Sequence, residues 1–267
     1  RARLIEAGVT PLQGLEEAMV SYALANHYRE RRAELLSHPA ATTRFSKGAG
    51  ECLTFWTEAR SKTWLREQGL SIPRGEVVPA DEAVGAAGAI GYPVVLKAVG
   101  DEFLHKTEAR AVAVSLAGAV AVATAASDMQ SRLGVGELLI EEMVDGAVAE
   151  LIVGIRCDPQ VGYGLLLGSG GILAELVDDS TTLLLPVTHQ EVLQALSSLK
   201  VGALLQGYRG RSAADVEAVA DLVCGLCSAV LGSDGRILEV DLNPVLALPA
   251  GRGAVIVDAS LGVTAGH

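Results

Sequence analysis

The close spacing of the apolar strand signals constrains the fold of this chain more than any other feature of its sequence. Leu138–Val144 and Ala149–Ile155 are joined through Asp145-Gly146, and a third strand signal follows at Gly164–Gly168. A crossover between parallel strands needs about a dozen residues or more, so neighbours this close are expected to run antiparallel. Because helix signals alternate with the strands, the sequence predicts an α/β protein with much antiparallel sheet.

The remaining elements are predicted from period, capping and breaker signals. Further strands are expected at Glu76–Val78, Pro93–Val99, Arg236–Leu242 and Ala254–Asp258. Helices are expected at Leu15–Leu36, at Thr57–Gln68 before Gly69, between a cap at Asp81 and Gly91, and after capping boxes formed by Thr188 with Glu191 and by Ser212 with Asp215.

The organisation of the chain is read from its length and from one aperiodic stretch. With 267 residues, half of them hydrophobic, the chain can form one large domain or two modest ones. The stretch Ser37–Gly50 is rich in small and polar residues and has no sustained period, which is typical of a linker. The first 36 residues are therefore expected to be the end of a preceding domain.

Charge and hydropathy exclude several classes of function. A formal net charge of −11 would repel a nucleic-acid backbone, so neither DNA nor RNA is expected as a partner. No apolar run approaches the roughly 20 residues that span a bilayer, and the first residues lack a signal-peptide pattern, so a cytoplasmic location is expected. Cys224 and Cys227 have zinc-like spacing without a second ligand pair, which favours buried core cysteines.

Lys97 is the first candidate site residue, because it closes the apolar strand that begins at Pro93. A lysine in such a run must either extend its ammonium group to solvent or meet an anion, and the sequence leaves both alternatives open. A cation on one strand and oxygen ligands on another would together suit Mg²⁺ and a polyphosphate.

The oxygen ligands are predicted on the strand near the end of the chain. Glu239, Asp241 and Asn243 share one face because alternate strand residues point the same way. Such a face suits Mg²⁺, although a solvated strand face would show the same alternation. Asp258 ends the next strand and would meet Asn243 if the two strands pair.

Two loop features add weaker signals. Glycines at 168, 170 and 171 would let backbone N–H groups approach a phosphate, yet the stretch matches neither the dinucleotide nor the P-loop template. His105 lies in a polar connection after the lysine strand, where it is either a surface residue or, near a nucleotide, a nucleophile or base.

Taken together, the ordered motifs over Thr57–Ser260 resemble the ATP-grasp domain of the NDP-forming acyl-CoA synthetases, the family that includes succinyl-CoA synthetase beta chains. The motifs are Gly91-Tyr92-Pro93-Val94-Val95-Leu96-Lys97, Leu104-His105-Lys106-Thr107-Glu108, Glu150-Leu151-Ile152-Val153-Gly154-Ile155, Asp158-Pro159-Gln160, Gly170-Gly171-Ile172, Tyr208-Arg209-Gly210-Arg211 and Glu239-Val240-Asp241-Leu242-Asn243-Pro244. The beginning of the chain also looks like the end of the ligase-type CoA domain that precedes ATP-grasp in fused members.

The resemblance implies an ATP-grasp fold of two α+β subdomains with mostly antiparallel sheets. It implies the end of a CoA-ligase-type domain over residues 1–37, a linker over 38–55, and ATP-grasp subdomains over 56–135 and 136–267. ATP or ADP would bind with Mg²⁺ between the subdomains. The expected partners are a CoA-binding domain or subunit of the same enzyme, a carboxylic acid and CoA, and an oligomer is expected.

The resemblance also implies a role for each candidate residue. Lys97 would contact the phosphates, Glu141, Met143 and Val144 would hold adenine, and Glu150, Gly170 and Gly171 would face the nucleotide. Asn243 and Asp258 would bind Mg²⁺ with Asp241 beside them, Arg209 would lie near the phosphoryl path, and His105 would carry phosphate as a phosphohistidine. The family reaction interconverts acid, CoA and ATP with acyl-CoA, ADP and phosphate.

Two departures from the family pattern leave alternatives open. Arg110-Ala111 stands where the family has two glycines, and Leu183 stands where an arginine is frequent. The expected function is the nucleotide-binding part of an NDP-forming acyl-CoA synthetase. The alternatives are an ATP-grasp ligase that joins a carboxylate to an amine, and a degenerate nucleotide-binding module with a regulatory role.

Overall fold

The computed structural model describes residues 2–8, 10–12, 14–37, 53–100, 111–171, 179–210 and 212–264. The chain divides into two units, residues 1–44 and residues 45–267. The first unit contains helix α1, Ala2–Glu6, and helix α2, Leu15–Ser37. Glu16 and Glu17 lie in the first turn of α2, where negative side chains complement the helix dipole. The predicted helix from Leu15 is confirmed.

The second unit contains strands and helices in alternation. Its strands are β1 (Leu53–Phe55), β2 (Gly75–Pro79), β3 (Val94–Ala98), β4 (Val112–Leu116), β5 (Glu137–Glu142), β6 (Ala149–Asp158), β7 (Gly162–Ser169), β8 (Ser180–Leu184), β9 (Ile237–Ala247), β10 (Ala254–Ile256) and β11 (Ser260–Thr264). Its helices are α3 (Glu58–Glu67), α4 (Ala83–Ile90, after a 3₁₀ turn at Ala80–Glu82), α5 (Ala119–Leu133), α6 (His189–Ser198), α7 (Gly202–Leu205) and α8 (Val216–Leu231).

The larger sheet of the described residues has the strand order β1-β11-β9-β6-β7-β8, with β10 beside β9. Every pair is antiparallel. Leu151, Val153 and Ile155 alternate along β6 into the larger core, where they pack with residues of α6 and α8 such as Leu196 and Val223. The opposite face of this sheet carries the polar residues of the candidate site.

The smaller sheet has the order β2-β5-β3-β4 and is also antiparallel throughout. Leu96 on β3 and Ile140 on β5 point into the smaller core, where α4 and α5 contribute Ala87 and Val122. Alternation therefore turns Lys97 away from these helices, toward the side of the sheet that faces the rest of the unit.

The predicted α/β class with antiparallel sheets is confirmed, but one connection differs from a simple hairpin. Strands β5 and β6 are close in sequence, and each pairs within a different sheet. The intervening segment, residues 143–148, therefore carries the chain from the smaller sheet to the larger one. Close spacing indicates an antiparallel direction, yet it does not decide which partner a strand selects.

The helix caps confirm one prediction and correct two. Thr188 and Glu191 form the predicted capping box at the start of α6. Asp81 lies inside the 3₁₀ turn and does not cap α4 through its side chain. At α8 the cap is Asp215 itself, whose carboxylate accepts from the Ala218 N–H, so the prediction that starts the helix at a Ser212 cap is wrong.

The predicted domain limits stay predictions, as does the CoA-ligase-type origin of the first residues. Strand β5, Glu137–Glu142, pairs within the smaller sheet, and Trp56 and Leu65 pack in the larger core.

Within the part of the chain that the structure describes, no helix combines the length and the apolar character that a bilayer crossing requires.

Replacing Asp215 with Ala is expected to lower the free energy of unfolding by about 1–2 kcal/mol at neutral pH, the scale of a lost helix cap. The carboxylate accepts hydrogen bonds from the N–H groups of Gly253, Ala218 and Gly251. These bonds hold the pKa of Asp215 below its ordinary value of 3.8, so the stabilisation is complete above that value and is lost as the pH falls through the folded-state pKa.

Urea unfolding from neutral pH down to about pH 2 would measure this dependence as a difference between wild type and Asp215→Ala that shrinks in acid. Asp128→Ala is the control, since Asp128 is an exposed helix residue paired with Arg132. We expect it to change the free energy of unfolding by less than about 0.5 kcal/mol. A pH-independent loss in Asp215→Ala would contradict the role of the carboxylate.

Candidate functional site

A cleft of about 790 Å³ lies between the two sheets of the second unit. This volume is within the range of about 300–1,000 Å³ that small-molecule sites occupy. Its wall on the side of the smaller sheet is formed by residues of β3, β4 and β5, including Val95, Lys97 and Glu141. Its other wall is formed by residues of β6 and β9 and by Asp258. The segment between β5 and β6 connects the walls.

Lys97 is buried at the smaller-sheet wall, and its ammonium group meets anions. Nζ lies 2.6 Å from Oε1 of Glu58 and 3.0 Å from Oε2 of Glu141. It also donates to the backbone oxygen of Val257 at 2.6 Å. Of the two alternatives for a lysine in an apolar strand, the structure therefore shows the paired one.

A second lysine, Lys62, shares these acceptors. Its Nζ lies 2.7 Å from Oε1 of Glu58, 2.6 Å from both carboxylate oxygens of Glu141 and 2.8 Å from the oxygen of Val257. Sequence reasoning missed both Glu58 and Lys62. The only signal in the sequence is their spacing with Ser61 and Leu65, which puts the four residues on one helix face, and the structure shows that this face is buried. Polar residues on the core-facing side of α3 indicate buried partners.

The charges of this cluster alter each other's protonation. Burial would raise the pKa of the Glu141 carboxyl, but the ammonium groups of Lys97 and Lys62 hold that pKa below its ordinary value. Burial and then the neighbouring Lys97 charge lower the pKa of Lys62. Both effects follow from two ammonium groups sharing two carboxylates in a poorly solvated space.

Asn243 and Asp258 meet at the other wall of the cleft. Val245 pairs with Ile256 on one side of them, and Asp241 pairs with Ser260 on the other, in the same register. This register places Asn243 opposite Asp258, as predicted on the condition that the two strands pair. Both residues line the cleft, so an amide and a carboxylate present oxygen atoms to the same space as Lys97.

Asp241 lies on the same face of β9, one step further from the cleft. It lines a separate groove of about 840 Å³ with Glu239 and Arg156. Partial desolvation, followed by the charges of Asp258 and Glu239, raises the pKa of Asp241. Its carboxylate is therefore within electrostatic range of Asp258 without lining the cleft.

Glu150 lines the cleft from β6 and has the predicted glycines against it. The Gly170 N–H donates to the Glu150 backbone oxygen at 2.7 Å. A Cβ at Gly170 would lie 2.9 Å from the backbone of Leu151, and one at Gly171, where φ is +78°, would lie 2.7 Å from Oε2 of Glu150. The glycines thus permit a close approach to Glu150, and they do not line the cleft themselves.

The segment predicted to hold a nucleobase forms the connecting wall. Met143 and Val144 line the cleft, and the Met143 N–H donates to the Pro93 oxygen at 3.1 Å. This bond ties the segment to the start of β3. Glu141, predicted with them as a nucleotide-binding residue, also lines the cleft, and its side chain is engaged by the two lysines.

The other candidates lie elsewhere. Arg209 has a φ of +50° and its guanidinium lies 5.2 Å from the ring centre of Tyr208, outside the cleft lining. His105 and Arg110 lie outside the described residues. Ala111 is fully buried in the smaller core, and Leu183 packs against the larger core, so neither of these two side chains lies in the cleft lining.

The arrangement can bind an anionic ligand together with a cation. An ammonium group stands at one wall, and neutral and negative oxygens stand at the other. No three His, Cys, Asp or Glu side chains converge on one point within the described part of the chain. A hard cation between Asn243 and Asp258 would therefore take most of its oxygens from water and ligand, as Mg²⁺ commonly does.

Comparison with known proteins gives a family match over most of the chain. A family model described as an ATP-grasp domain matches residues 50–263. The chain is 35% identical over 214 residues to a 4-hydroxybutyrate–CoA ligase (ADP-forming) of Nitrosopumilus maritimus, covering 77% of this chain and 30% of that protein. It is 30% identical over 217 residues to the beta subunit of acetate–CoA ligase (ADP-forming) II of Pyrococcus furiosus, covering 78% of this chain and 91% of the subunit.

A solved structure has the same fold. The chain matches the dinucleotide-forming acetyl-coenzyme A synthetase 1 of Ca. Korarchaeum cryptofilum with a TM-score of 0.68 and 30% identity, covering 77% of this chain and 91% of the matched chain. That protein was solved with coenzyme A and Mg-AMPPCP, with a phosphohistidine segment pointing towards the nucleotide binding site.

Replacing Glu141 with Ala is expected to lower the free energy of unfolding by about 3–5 kcal/mol, because it leaves two buried ammonium groups with one fewer carboxylate. Glu142 on the same strand provides a matched control. Its half-buried carboxylate pairs with the exposed guanidinium of Arg74 at 2.7 Å, so Glu142→Ala should cost at most about 1 kcal/mol. Denaturant unfolding at neutral pH measures both variants, and equal losses would contradict the buried cluster.

Proposed function

The chain belongs to the ATP-grasp domain family, and from that premise we propose that it is the nucleotide-binding part of an ADP-forming acyl-CoA synthetase. The complete reaction would interconvert acid, CoA and ATP with acyl-CoA, ADP and phosphate. One observation carries the proposal: the cleft between the sheets has Lys97 on one wall and Asn243 opposite Asp258 on the other. Relatives that are ADP-forming acid–CoA ligases support it.

The proposal divides the reaction between this chain and a partner. The chain spans 30% of the length of the 4-hydroxybutyrate–CoA ligase it matches and 91% of the acetate–CoA ligase beta subunit. In the proposal, CoA and the carboxylic acid bind to another domain or subunit. That domain or subunit corresponds to the part of the longer relative that this chain does not match. The oligomer and the cytoplasmic location stay predictions.

The nucleotide would bind along the cleft. Met143 and Val144 at the connecting wall would hold the base, and Glu150 would face the nucleotide from β6. Lys97 would contact the phosphates from β3. Phosphoryl transfer asks a protein mainly for positioning and charge neutralisation, to which a lysine on the wall of the cleft can contribute.

The residues present fit a Mg²⁺ ion. Asn243 and Asp258 offer one neutral and one charged oxygen ligand, the number that Mg²⁺ takes from proteins when phosphate and water complete its coordination. When bound, the ion would neutralise part of the phosphate charge. Asp241 remains a candidate at longer range, since its position in the neighbouring groove is compatible with a contact through water.

His105 and Arg209 complete the proposal. A phosphohistidine at His105 would let the phosphoryl group leave the cleft and reach the CoA-binding partner. Arg209 lies on a turn that follows α7. Its exposed guanidinium would donate hydrogen bonds to the phosphoryl group after that group has left the cleft. Both roles rest on the family pattern and stay predictions.

Two alternatives remain to be tested. An ATP-grasp ligase that joins a carboxylate to an amine would release ADP with those substrates and without CoA. A degenerate regulatory module would bind nucleotide without turnover in the complete assembly. Ala111 lies in the smaller core and Leu183 packs against the larger one, so these two departures do not place side chains in the cleft and give little support to the second alternative.

Replacing Asn243 with Ala is expected to weaken the binding of ATP about tenfold or more in the presence of Mg²⁺, on the scale of a lost contact to a charged group. Without Mg²⁺ the variant and the wild type should bind alike. Calorimetric titration with ATP in Mg²⁺ or in a chelator measures both conditions. Asp241→Asn is the control, for which we expect a smaller loss because Asp241 does not line the cleft.

Replacing His105 with Asn is expected to abolish acid-labile phosphorylation of the chain by Mg·ATP, because the carrier nitrogen is removed. Incubation with γ-labelled ATP, followed by intact-mass measurement before and after acid treatment, detects the modification. His189→Asn is the matched control, since His189 lies at the start of α6 beside Glu217 and Asp221. Acid-labile label that persists in His105→Asn would contradict the carrier role.

A further inference from the structure

The two buried lysines are bound to the same set of acceptors. Lys97 and Lys62 each lie within 3.0 Å of Glu58, Glu141 and the oxygen of Val257. An ammonium group has three hydrogens, so these contacts occupy all the donors of Lys97. Lys97 can reach a phosphate only by giving up at least one of them.

The two lysines differ in their access to the cleft. Lys97 and Glu141 line it, whereas Glu58 and Lys62 on α3 do not. The α3 residues therefore contact Lys97 from outside the cleft lining, and Glu58 lines a smaller pocket of its own that also includes Asp258. Lys62 already contacts the acceptors of Lys97, so it is suited to keep them paired when Lys97 turns toward the cleft.

We propose that Glu58 and Lys62 are positioning residues for Lys97, and that in an exchange of partners Lys62 keeps the carboxylates of Glu58 and Glu141 paired when Lys97 turns to the phosphates of a nucleotide. The inference rests on the proposed nucleotide site. It explains why a buried salt bridge to Lys97 does not prevent phosphate binding: the carboxylates keep one ammonium group after the exchange. This exchange favours ligands that carry a polyphosphate over nucleosides, because a nucleoside offers no phosphate to Lys97.

In this proposal, ATP affinity depends on the net charge that remains on Glu58, Glu141 and Lys62 once Lys97 has turned to the phosphates. Counted over Glu58, Glu141 and Lys62 alone, turning Lys97 away leaves two carboxylates with one ammonium group and thus one negative charge in the wild type. Lys62→Met would leave two negative charges, and Glu58→Gln would leave none. The double variant Glu58→Gln/Lys62→Met would leave one, as in the wild type. Removing a buried countercharge raises the cost of moving Lys97.

Calorimetric titration of ATP and of adenosine, with Mg²⁺, into the chain and these three variants tests the exchange. We expect Lys62→Met to weaken ATP binding about tenfold or more, Glu58→Gln to bind ATP at least as tightly as wild type, and the double variant to lie within about threefold of wild type. Adenosine binding should stay within about twofold throughout, because adenosine carries no phosphate for Lys97.

Thermal unfolding of the same proteins separates this role from a structural one. Glu58→Gln removes a carboxylate from two buried ammonium groups, so it should lower the unfolding temperature while leaving ATP affinity equal or higher. A structural role would weaken ATP and adenosine binding together and would make the double variant worse than either single variant. That result, or weaker ATP binding by Glu58→Gln, would overturn the exchange.

The outcomes also separate this inference from the proposed function. A wild-type chain that binds no ATP would overturn both. A wild type that binds ATP, with variants that do not follow the residual charge, would overturn the exchange alone and leave the nucleotide site standing. If Lys62→Met does not fold, Glu58→Gln and the double variant still test the exchange, since each has its own expected ATP affinity relative to the wild type.

Discussion

Two ammonium groups and two carboxylates, buried where α3 meets the smaller sheet, are the interaction on which the rest of this structure depends. Glu58, Lys62, Lys97 and Glu141 come from α3, β3 and β5, and the oxygen of Val257 joins them from the segment after β10. Charges removed from water are costly unless each is paired, so the strands and the helix have to meet in one arrangement. That arrangement also sets the position of the cleft.

The cleft follows from how the chain divides its strands. β5 pairs in the smaller sheet and β6 in the larger one, so residues 143–148 cross between them and close one side of the space. Alternation on β3 turns Lys97 toward the cleft while Leu96 fills the smaller core. On the opposite wall, a shared register brings Asn243 and Asp258 together. Cationic and oxygen-bearing walls facing each other are what a metal-bound polyphosphate requires.

The predictions that succeeded depend on local rules, and those that failed depend on competition between equally good local signals. Lys97 was singled out because a charge in an apolar strand must either reach solvent or meet an anion, and the structure shows the anion. Asp215 rather than Ser212 caps α8, because the aspartate also accepts from the N–H groups of Gly251 and Gly253, which are distant in sequence. A capping motif alone could not weigh those contacts.

The sequence by itself determined the α/β class, the antiparallel direction of the strands and the family, since spacing, alternation and ordered motifs act over short ranges. It brought Asn243 to Asp258 only on the condition that their strands pair, and the register of the larger sheet met that condition. Only the tertiary structure decided that Glu58 and Lys62 stand behind Lys97 and that Asp241 lies in a neighbouring groove. Glu58 is distant from Lys97 and Glu141 in the chain, and no local rule selects among the possible partners of a buried charge. The partners are fixed when α3 and the two sheets pack together, because burying an unpaired charge in that interface would cost more free energy than the packing contributes.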